Sequence, residues 1–320
     1  MLKVLFTNCS FSETELNTLK EHDIEIKPEK ENLSQAELIQ ALQGFDAYVI
    51  GGTDRAPKEV INSTNLKLIN FYGAGYQDYI DLTAANAKSI VVANTPKANS
   101  YTVAEHTVAM ILEGVKNITW LNNTTKDGNW FRRRTWNLQG KTLGIIGMGT
   151  IGTHVATIMK NGFNMNVLYT SRSPKPDVDK NFDAKKVSLE DLLKQSDVIS
   201  IHASLNEETT NMIDTPQLSL LRKNAILINM ARAKIVNGSA LKTALENGLL
   251  AKALFDAYYE EPAPTRANDK IGLLSLGDDK FIITPHTAYN TKEAFDNMNN
   301  MVMENLIAFA EGSPVPYKVN

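Results

Sequence analysis

The stretch Leu143-Gly144-Ile145-Ile146-Gly147-Met148-Gly149-Thr150-Ile151-Gly152 decides how this chain is read. A short apolar, β-branched run enters a glycine turn and a helix-compatible segment follows at once, so G-x-G-x-x-G stands in the strand, turn and helix context that its mechanism requires. Gly147 permits the tight turn, Gly149 lets the backbone approach a pyrophosphate, and Gly152 lets the helix pack closely on the strand. The amides of Thr150 and Ile151 then face phosphates at the positive end of the helix. A glycine turn of this kind often carries no ligand; the surrounding pattern is what makes this one a dinucleotide site.

That pattern is a short apolar run followed by a longer helical stretch, the sequence form of βαβ units and a parallel sheet. From Thr142 onward the strand candidates are Leu143 to Ile146, Asn166 to Tyr169, Val198 to Ile201, Ala225 to Asn229, Ala253 to Phe255 and Phe281 to Thr284, six buried strands that suit a doubly wound sheet. The first hundred residues form a smaller α/β unit of the same kind, with strands at Lys3 to Phe6, Ala47 to Ile50, Leu66 to Phe71 and Ile90 to Ala93 and helical stretches between them. Asn94-Thr95-Pro96 breaks the pattern, and Ser100 caps a long helix with Ala104, Val108, Ile111 and Val115 on one face. Lys292 to Gly312 is a final helix, and the polar run Glu260 to Asp279 is expected as a surface insertion.

The bulk numbers agree with a two-domain α/β protein. At 320 residues, 43% hydrophobic and 22% charged, the chain is too long for one core and ordinary for two. A net charge of -3 provides no basic field, which argues against nucleic acid and an anionic membrane and for a small-molecule partner. A single cysteine, Cys9, excludes an internal disulfide framework and a multi-cysteine metal site, so no metal is expected, and it suits a cytoplasmic location. MLKVLFTNCS reads as a first strand rather than a signal peptide, and no run of apolar residues is long enough for a membrane span.

The second strand of the larger sheet runs into Thr170-Ser171-Arg172-Ser173, where dinucleotide sites commonly place an acid on the adenosine ribose hydroxyls. No acid is there. Thr170, Ser171 and the Arg172 guanidinium can donate to a 2′-phosphate that an acid would repel, with Lys175 nearby, so NADP(H) is the expected cofactor and NAD(H) the alternative. If Arg172 and Lys175 are only solvated loop residues, both cofactors serve equally.

Three residues beyond the dinucleotide motif offer chemistry. Reducing a keto acid takes a hydride donor, a cation for the carboxylate and carbonyl, and an acid for the nascent alkoxide. Arg232 follows the strand of Ile228-Asn229-Met230-Ala231, Glu261 follows the strand ending near Asp256, and His286 stands in Thr284-Pro285-His286-Thr287-Ala288. A carboxylate beside an imidazole favours its protonated form. Taken singly, each has an ordinary reading, as a helix cap, a loop residue or a structural histidine. Together they follow strands of the sheet that carries the dinucleotide motif, on the edge where such sheets bind ligands.

Across nearly its full length the chain resembles the D-isomer-specific 2-hydroxyacid dehydrogenases, as glyoxylate and hydroxypyruvate reductases do. The matching segments are Gly73-Ala74-Gly75, Ala93-Asn94-Thr95-Pro96 running on to Val103-Ala104-Glu105, GKTLGIIGMGTIG, NMAR, EEP and TPHTA. The resemblance implies two Rossmann-like or flavodoxin-like domains with the active site in the cleft between them. A discontinuous substrate domain would take residues 1–97 and 288–320, and the dinucleotide domain 98–287. It implies Arg232, Glu261 and His286 as the catalytic set, with His286 the proton donor in reduction, and the amides at Gly73, Ala74 and Gly75 as holders of the substrate carboxylate beside Arg232 and His286. It also implies that Val103, His202, Ala203, Ser204, Thr209, Met230, Ala231, Asp256, His286 and Ala288 join the glycine turn and Thr170 to Arg172 around the cofactor, Asp256 near the nicotinamide amide. A homodimer paired through the helix after Ser100 is the expected assembly.

The chain departs from the family pattern in places. Tyr76-Gln77-Asp78-Tyr79-Ile80-Asp81 is one residue longer than expected after Gly75, Ser204 stands where proline is usual, and Ala233 where glycine is common. Neither single change touches a proton-transfer group, whereas the 262–280 insertion leaves substrate choice open. A D-lactate dehydrogenase is one alternative. A phosphoglycerate dehydrogenase is another, although Gly51-Gly52-Thr53-Asp54 is poor in the cations a phosphate would need. From a different class, a non-catalytic dinucleotide sensor remains, against which the joint presence of Arg232, Glu261 and His286 argues.

Overall fold

The computed structural model describes residues 1–30, 33–52, 54–175 and 183–320; Thr53 lies outside them. The chain divides into two units, one made of Met1–Asn99 and Thr291–Asn320, the other of Ser100–Asn290.

The first unit has five strands, β1 (Leu2–Thr7), β2 (Ile24–Glu29), β3 (Ala47–Ile50), β4 (Leu68–Phe71) and β5 (Val91–Ala93), in the order β2-β1-β3-β4-β5. All pairs are parallel. Helices α1 (Glu13–Glu21), α2 (Gln35–Ala41), α3 (Lys58–Asn62) and α4 (Leu82–Ala87) join them in turn. Ser12 with Glu15 and Ser34 with Glu37 form capping boxes that start α1 and α2, each serine oxygen accepting from the third helical amide. Strands β3 and β4 are buried along their whole length, as the continuous apolar runs require.

Strand β2 corrects the sequence reading, in which 24–29 falls within a helical stretch. IEIKPE is an edge strand with one fully buried residue, Ile24, so neither its charges nor Pro28 conflicts with its place. The two-residue strand β8 in the second unit escapes the sequence reading for the same reason, being an exposed Lys185–Lys186 edge.

The second unit begins with α5 (Ser100–Lys116) and α6 (Ile118–Lys126) and carries seven strands, β6 (Thr142–Ile146), β7 (Asn166–Thr170), β8 (Lys185–Lys186), β9 (Val198–Ile201), β10 (Ile226–Asn229), β11 (Lys252–Phe255) and β12 (Phe281–Ile283). Their order is β12-β11-β10-β9-β6-β7-β8, all parallel, so the winding reverses between β6 and β9. Helix α7 (Thr150–Phe163) follows β6, and α8 (Leu189–Gln195), α9 (Thr215–Leu218) and α10 (Gly238–Glu246) lie between later strands. Alternation along a strand feeds two cores: Ile226, Ile228 and Leu254 pack with Val103, Ile111 and Val155 on one face, while Leu227, Ala253 and Phe255 pack with Ile199, Leu241 and Leu273 on the other. Helix α11 (Lys292–Ala310) belongs to the first unit, burying Met298, Val302 and Leu306.

The run Glu260 to Asp279 is less of a surface insertion than its polarity suggests. Leu273 is completely buried in a short 3-10 turn, and Ile271, Leu274 and Leu276 pack against the second core. Asp269 organises this fold-back by accepting from the amides of Ile271 at 3.0 Å and Leu274 at 2.9 Å, which holds its carboxyl below the usual range despite partial burial.

Candidate active site

The glycine turn lies where the winding of the seven-stranded sheet reverses, the position at which open α/β sheets receive ligands. Gly147 has φ +97°, and a Cβ there would sit 2.6 Å from the Ala203 amide nitrogen, so both its conformation and its closeness to the end of β9 demand glycine. A Cβ on Gly152 would fall 2.5 Å from the Gly147 carbonyl oxygen, whereas one on Gly149 would meet only open space. Gly149 caps α7 without a side chain, leaving the amides of the first turn, at exposed Thr150 and partly buried Ile151, to be met by an anion. Beside it, the His202 Nε2 pairs with the Ser200 hydroxyl at 2.8 Å while Nδ1 is buried with no hydrogen-bond partner. Burial pulls this imidazole down to about 4, so it is neutral at physiological pH. An open cradle over a helix N-terminus, with an orphaned buried ring nitrogen next to it, fits a dinucleotide.

The remaining cofactor candidates are placed as follows. Thr170 ends β7, and the Ser171 hydroxyl donates to the Ser173 carbonyl at 2.6 Å, while the Arg172 side chain is exposed. Lys175 donates its amide to the Tyr169 hydroxyl at 3.0 Å. Ser204 is exposed and its carbonyl accepts from the Thr209 hydroxyl at 2.7 Å, so Thr209 shapes the loop after β9. Val103 is buried on α5, Met230 is buried just past β10 next to half-buried Ala231, and Ala288 is buried beyond β12.

The proton-transfer candidates follow three adjacent strands. Arg232, after β10, is fixed at its backbone because the Asn229 side-chain amide donates to its carbonyl at 2.9 Å, and its Nη1 donates to the Ala231 carbonyl at 3.2 Å. Glu261 comes after β11 and His286 after β12, and the structure brings these two together: His286 Nδ1 lies 3.2 Å from both Glu261 carboxylate oxygens. The Tyr289 ring meets the imidazole edge-on with centroids 6.3 Å apart. With Nδ1 committed to the carboxylate, Nε2 is the nitrogen available for chemistry.

His286 itself has φ +51°, a left-handed conformation that costs a non-glycine residue about 1–2 kcal/mol. What holds it there is Asp256, a role that sequence reasoning misses. This buried carboxylate accepts from the Thr284 hydroxyl at 2.5 Å and the Thr287 amide at 3.0 Å on Oδ1, and from the Ala288 amide at 2.8 Å on Oδ2. Three hydrogen bonds to a charged acceptor bracket the histidine from both sides. The sequence marks Asp256 only through its family resemblance, and nothing in its spacing reveals the caging.

In the first unit, β4 runs into Gly73-Ala74-Gly75. The Thr95 amide donates to the Gly73 carbonyl at 3.0 Å, and the Asn94 side chain donates to the Ala74 carbonyl at 2.9 Å. A trans peptide is planar with its N–H opposed to its C=O, so pinning these carbonyls turns the amides of Ala74 and Gly75 the other way. Buried amides underlie the arrangement: Asn305 on α11 donates to the Asn70 side chain at 2.7 Å and to the Asn94 carbonyl at 3.3 Å. The lengthened segment after Gly75 forms a 3-10 turn, Tyr76–Asp78, and Tyr79 stacks on Phe71 with centroids 4.7 Å apart. Among the described residues no group of three or more His, Cys, Asp or Glu side chains could hold a metal ion, and no helix is long and apolar enough to cross a membrane.

Residues 108–288 match the family model described as D-isomer specific 2-hydroxyacid dehydrogenase, NAD binding domain. A glyoxylate reductase from Thermococcus kodakarensis is 35% identical over 327 residues, covering 99% of this chain and 96% of that protein. Among solved structures, the TT0316 protein from Thermus thermophilus superposes with a TM-score of 0.89 at 32% identity, over 100% of both chains. An acyclic imino acid reductase in complex with NADPH and D-Arg does so with a TM-score of 0.85 at 25% identity, again over 100% of both.

Proposed function

Since this chain belongs to the D-isomer specific 2-hydroxyacid dehydrogenase family and is an oxidoreductase of that type, acting on CH–OH groups with a nicotinamide dinucleotide, we propose that it reduces a small 2-keto acid of the glyoxylate or hydroxypyruvate kind to the D-2-hydroxy acid. The observation that carries this reading is the His286–Glu261 pair on the sheet edge that also holds the glycine turn. The bound cofactor supplies the hydride. Arg232 holds the substrate carboxylate with its fork of donors and polarises the carbonyl, and the family resemblance assigns the amides of Ala74 and Gly75 to the carboxylate as well. The imidazolium of His286 gives its Nε2 proton to the developing alkoxide, and Glu261 offsets the ring's charge through Nδ1.

For the cofactor we assign a preference for NADPH. Thr170, Ser171 and Arg172 place hydroxyls and a guanidinium, and no acid, where the ribose 2′ position would be read. The NADPH bound by the imino acid reductase is in keeping with this. Steady-state assays of glyoxylate, hydroxypyruvate and pyruvate with each reduced cofactor test substrate and cofactor together. NADPH is expected to have the lower KM, and Arg172→Ala to raise it about tenfold, the worth of one charge-assisted contact, while leaving the NADH value unchanged. A lower KM for NADH would reverse the assignment, and binding of reduced cofactor without any turnover would favour a dinucleotide sensor.

A homodimer paired through α5 and the segment after it is the assembly we favour. Tyr101 on α5, Ile118 on α6, Trp130 and Phe131 are all more than half exposed, with Trp130 at 78%, a density of apolar surface that marks association sites. Sedimentation equilibrium distinguishes this from a monomer. A cytoplasmic location is in keeping with a chain that has a single cysteine, Cys9.

A further inference from the structure

We infer that His106 on α5 is a positioning residue for proton transfer, acting on His286 through Thr284 and Asp256. Its Nε2 lies 3.3 Å from the Thr284 hydroxyl oxygen and 3.8 Å from Asp256 Oδ1, with the side chain 24% exposed. The Thr284 hydroxyl hydrogen is directed to Asp256 at 2.5 Å, so the threonine oxygen is left to accept, and the donor facing it is the His106 Nε2–H. The relay therefore runs from His106 to Thr284 to Asp256.

The relay ends on the segment that carries the proton donor. Asp256 holds Thr284 on one side of His286 and the amides of Thr287 and Ala288 on the other, and between them His286 is kept at φ +51°. The His286 amide also donates to the Thr284 carbonyl at 2.9 Å, so Thr284 touches the strained residue through its backbone and the relay through its hydroxyl. A left-handed histidine persists only where its surroundings over-determine it. Deleting the donor behind Thr284 lets its hydroxyl turn away from Asp256, and the imidazole loses the register its proton transfer needs. His106 touches neither of the two residues assigned to the proton, so its effect falls on how often the acid is aligned and not on how tightly substrate is held.

This inference rests on His286 being the proton donor, and three variants separate the two. The side chain introduced by His106→Gln carries its amide nitrogen where the imidazole Nε2 stood; that of His106→Asn is too short to reach, and that of His106→Leu has no donor. Under saturating cofactor and keto acid, the Leu and Asn variants should lose about three- to tenfold in kcat, the range of one hydrogen bond, with both KM values within about twofold of the parent. The Gln variant should recover kcat to within about twofold of the parent. Leu and Asn variants that turn over at the parent rate, a Gln variant as slow as Leu, or a loss that appears in KM alone would each overturn it. Where His106→Leu does not fold, the Gln and Asn pair decides by the same criterion. A His286→Gln control that keeps turnover removes the reading of His286 and this inference with it; a dead control beside an unaffected His106→Leu removes this inference alone.

Discussion

Both units end their parallel strands at a carboxyl edge, and they furnish that edge differently. In the five-stranded sheet the loop after β4 offers backbone: its carbonyls are pinned by Thr95 and Asn94, which turns the amides of Ala74 and Gly75 the opposite way. In the seven-stranded sheet the loops after β10, β11 and β12 offer side chains, Arg232, Glu261 and His286. The groups buried beneath them differ to match. Loop carbonyls need donors, supplied by the Thr95 backbone amide and the neutral Asn94 side chain, while the loop around His286 presents N–H and O–H groups and needs an acceptor, supplied by the Asp256 carboxylate. One sheet thus presents fixed dipoles and the other ionisable groups. Only the second can move a proton.

Variants break or sharpen this contrast in descending order of effect. His286→Gln removes the acid itself and should lower kcat by about 10²–10⁴-fold with cofactor binding retained, measured by fluorescence titration of the reduced nucleotide. A loss below about tenfold would mean that the seven-stranded sheet does not supply the proton. Glu261→Gln keeps the ring in place but removes its anion, and should cost about ten- to a hundredfold in kcat, as expected for a hydrogen bond to a charged group. Equal activity of this variant and the parent would detach Glu261 from the chemistry.

In the five-stranded sheet, Gly73→Ala tests the backbone side of the contrast. A Cβ there meets the Phe71 ring at 2.8 Å, so either that ring or the loop must shift. KM for the keto acid should rise about tenfold while kcat changes less, since a misplaced amide weakens substrate and transition state alike. An effect on kcat alone would indicate that this loop takes part in the chemical step.

The smallest effect concerns His202 and is read as stability. Its folded-state value of about 4 lies below the ordinary 6.5, so as pH falls through that window the unfolded chain takes up a proton that the folded chain refuses. Stability should therefore drop between pH 6.5 and 4. His202→Asn should flatten that part of the denaturation profile. A profile unchanged by the substitution would show that the ring is protonated freely in the native state.

The elements legible in the sequence are those with one environment along their length. β3, β4, β6, β9 and β10 are buried on both faces and read as unbroken apolar runs, and the glycine turn after β6 carries steric demands that few other residues meet. Strand β2 is not legible because an edge position tolerates Lys27 and Pro28, and the fold-back at 260–279 is not because Asp269 satisfies it from within a polar run. Residues lying on the sheet edge can be named from their position after strands. How each is held cannot.

Sequence alone determined the alternation of strands and helices, the glycine turn, and which ionisable groups stand beyond the strands of the larger sheet, because each follows from local periodicity, local sterics and chain order. Tertiary structure decided that Glu261 faces the Nδ1 nitrogen of His286, that Asp256 cages a left-handed histidine, and that His106, 178 residues before Thr284, stands behind it. These are contacts between residues far apart in sequence, set by which strands become neighbours and where each loop is pinned, and no local pattern encodes them.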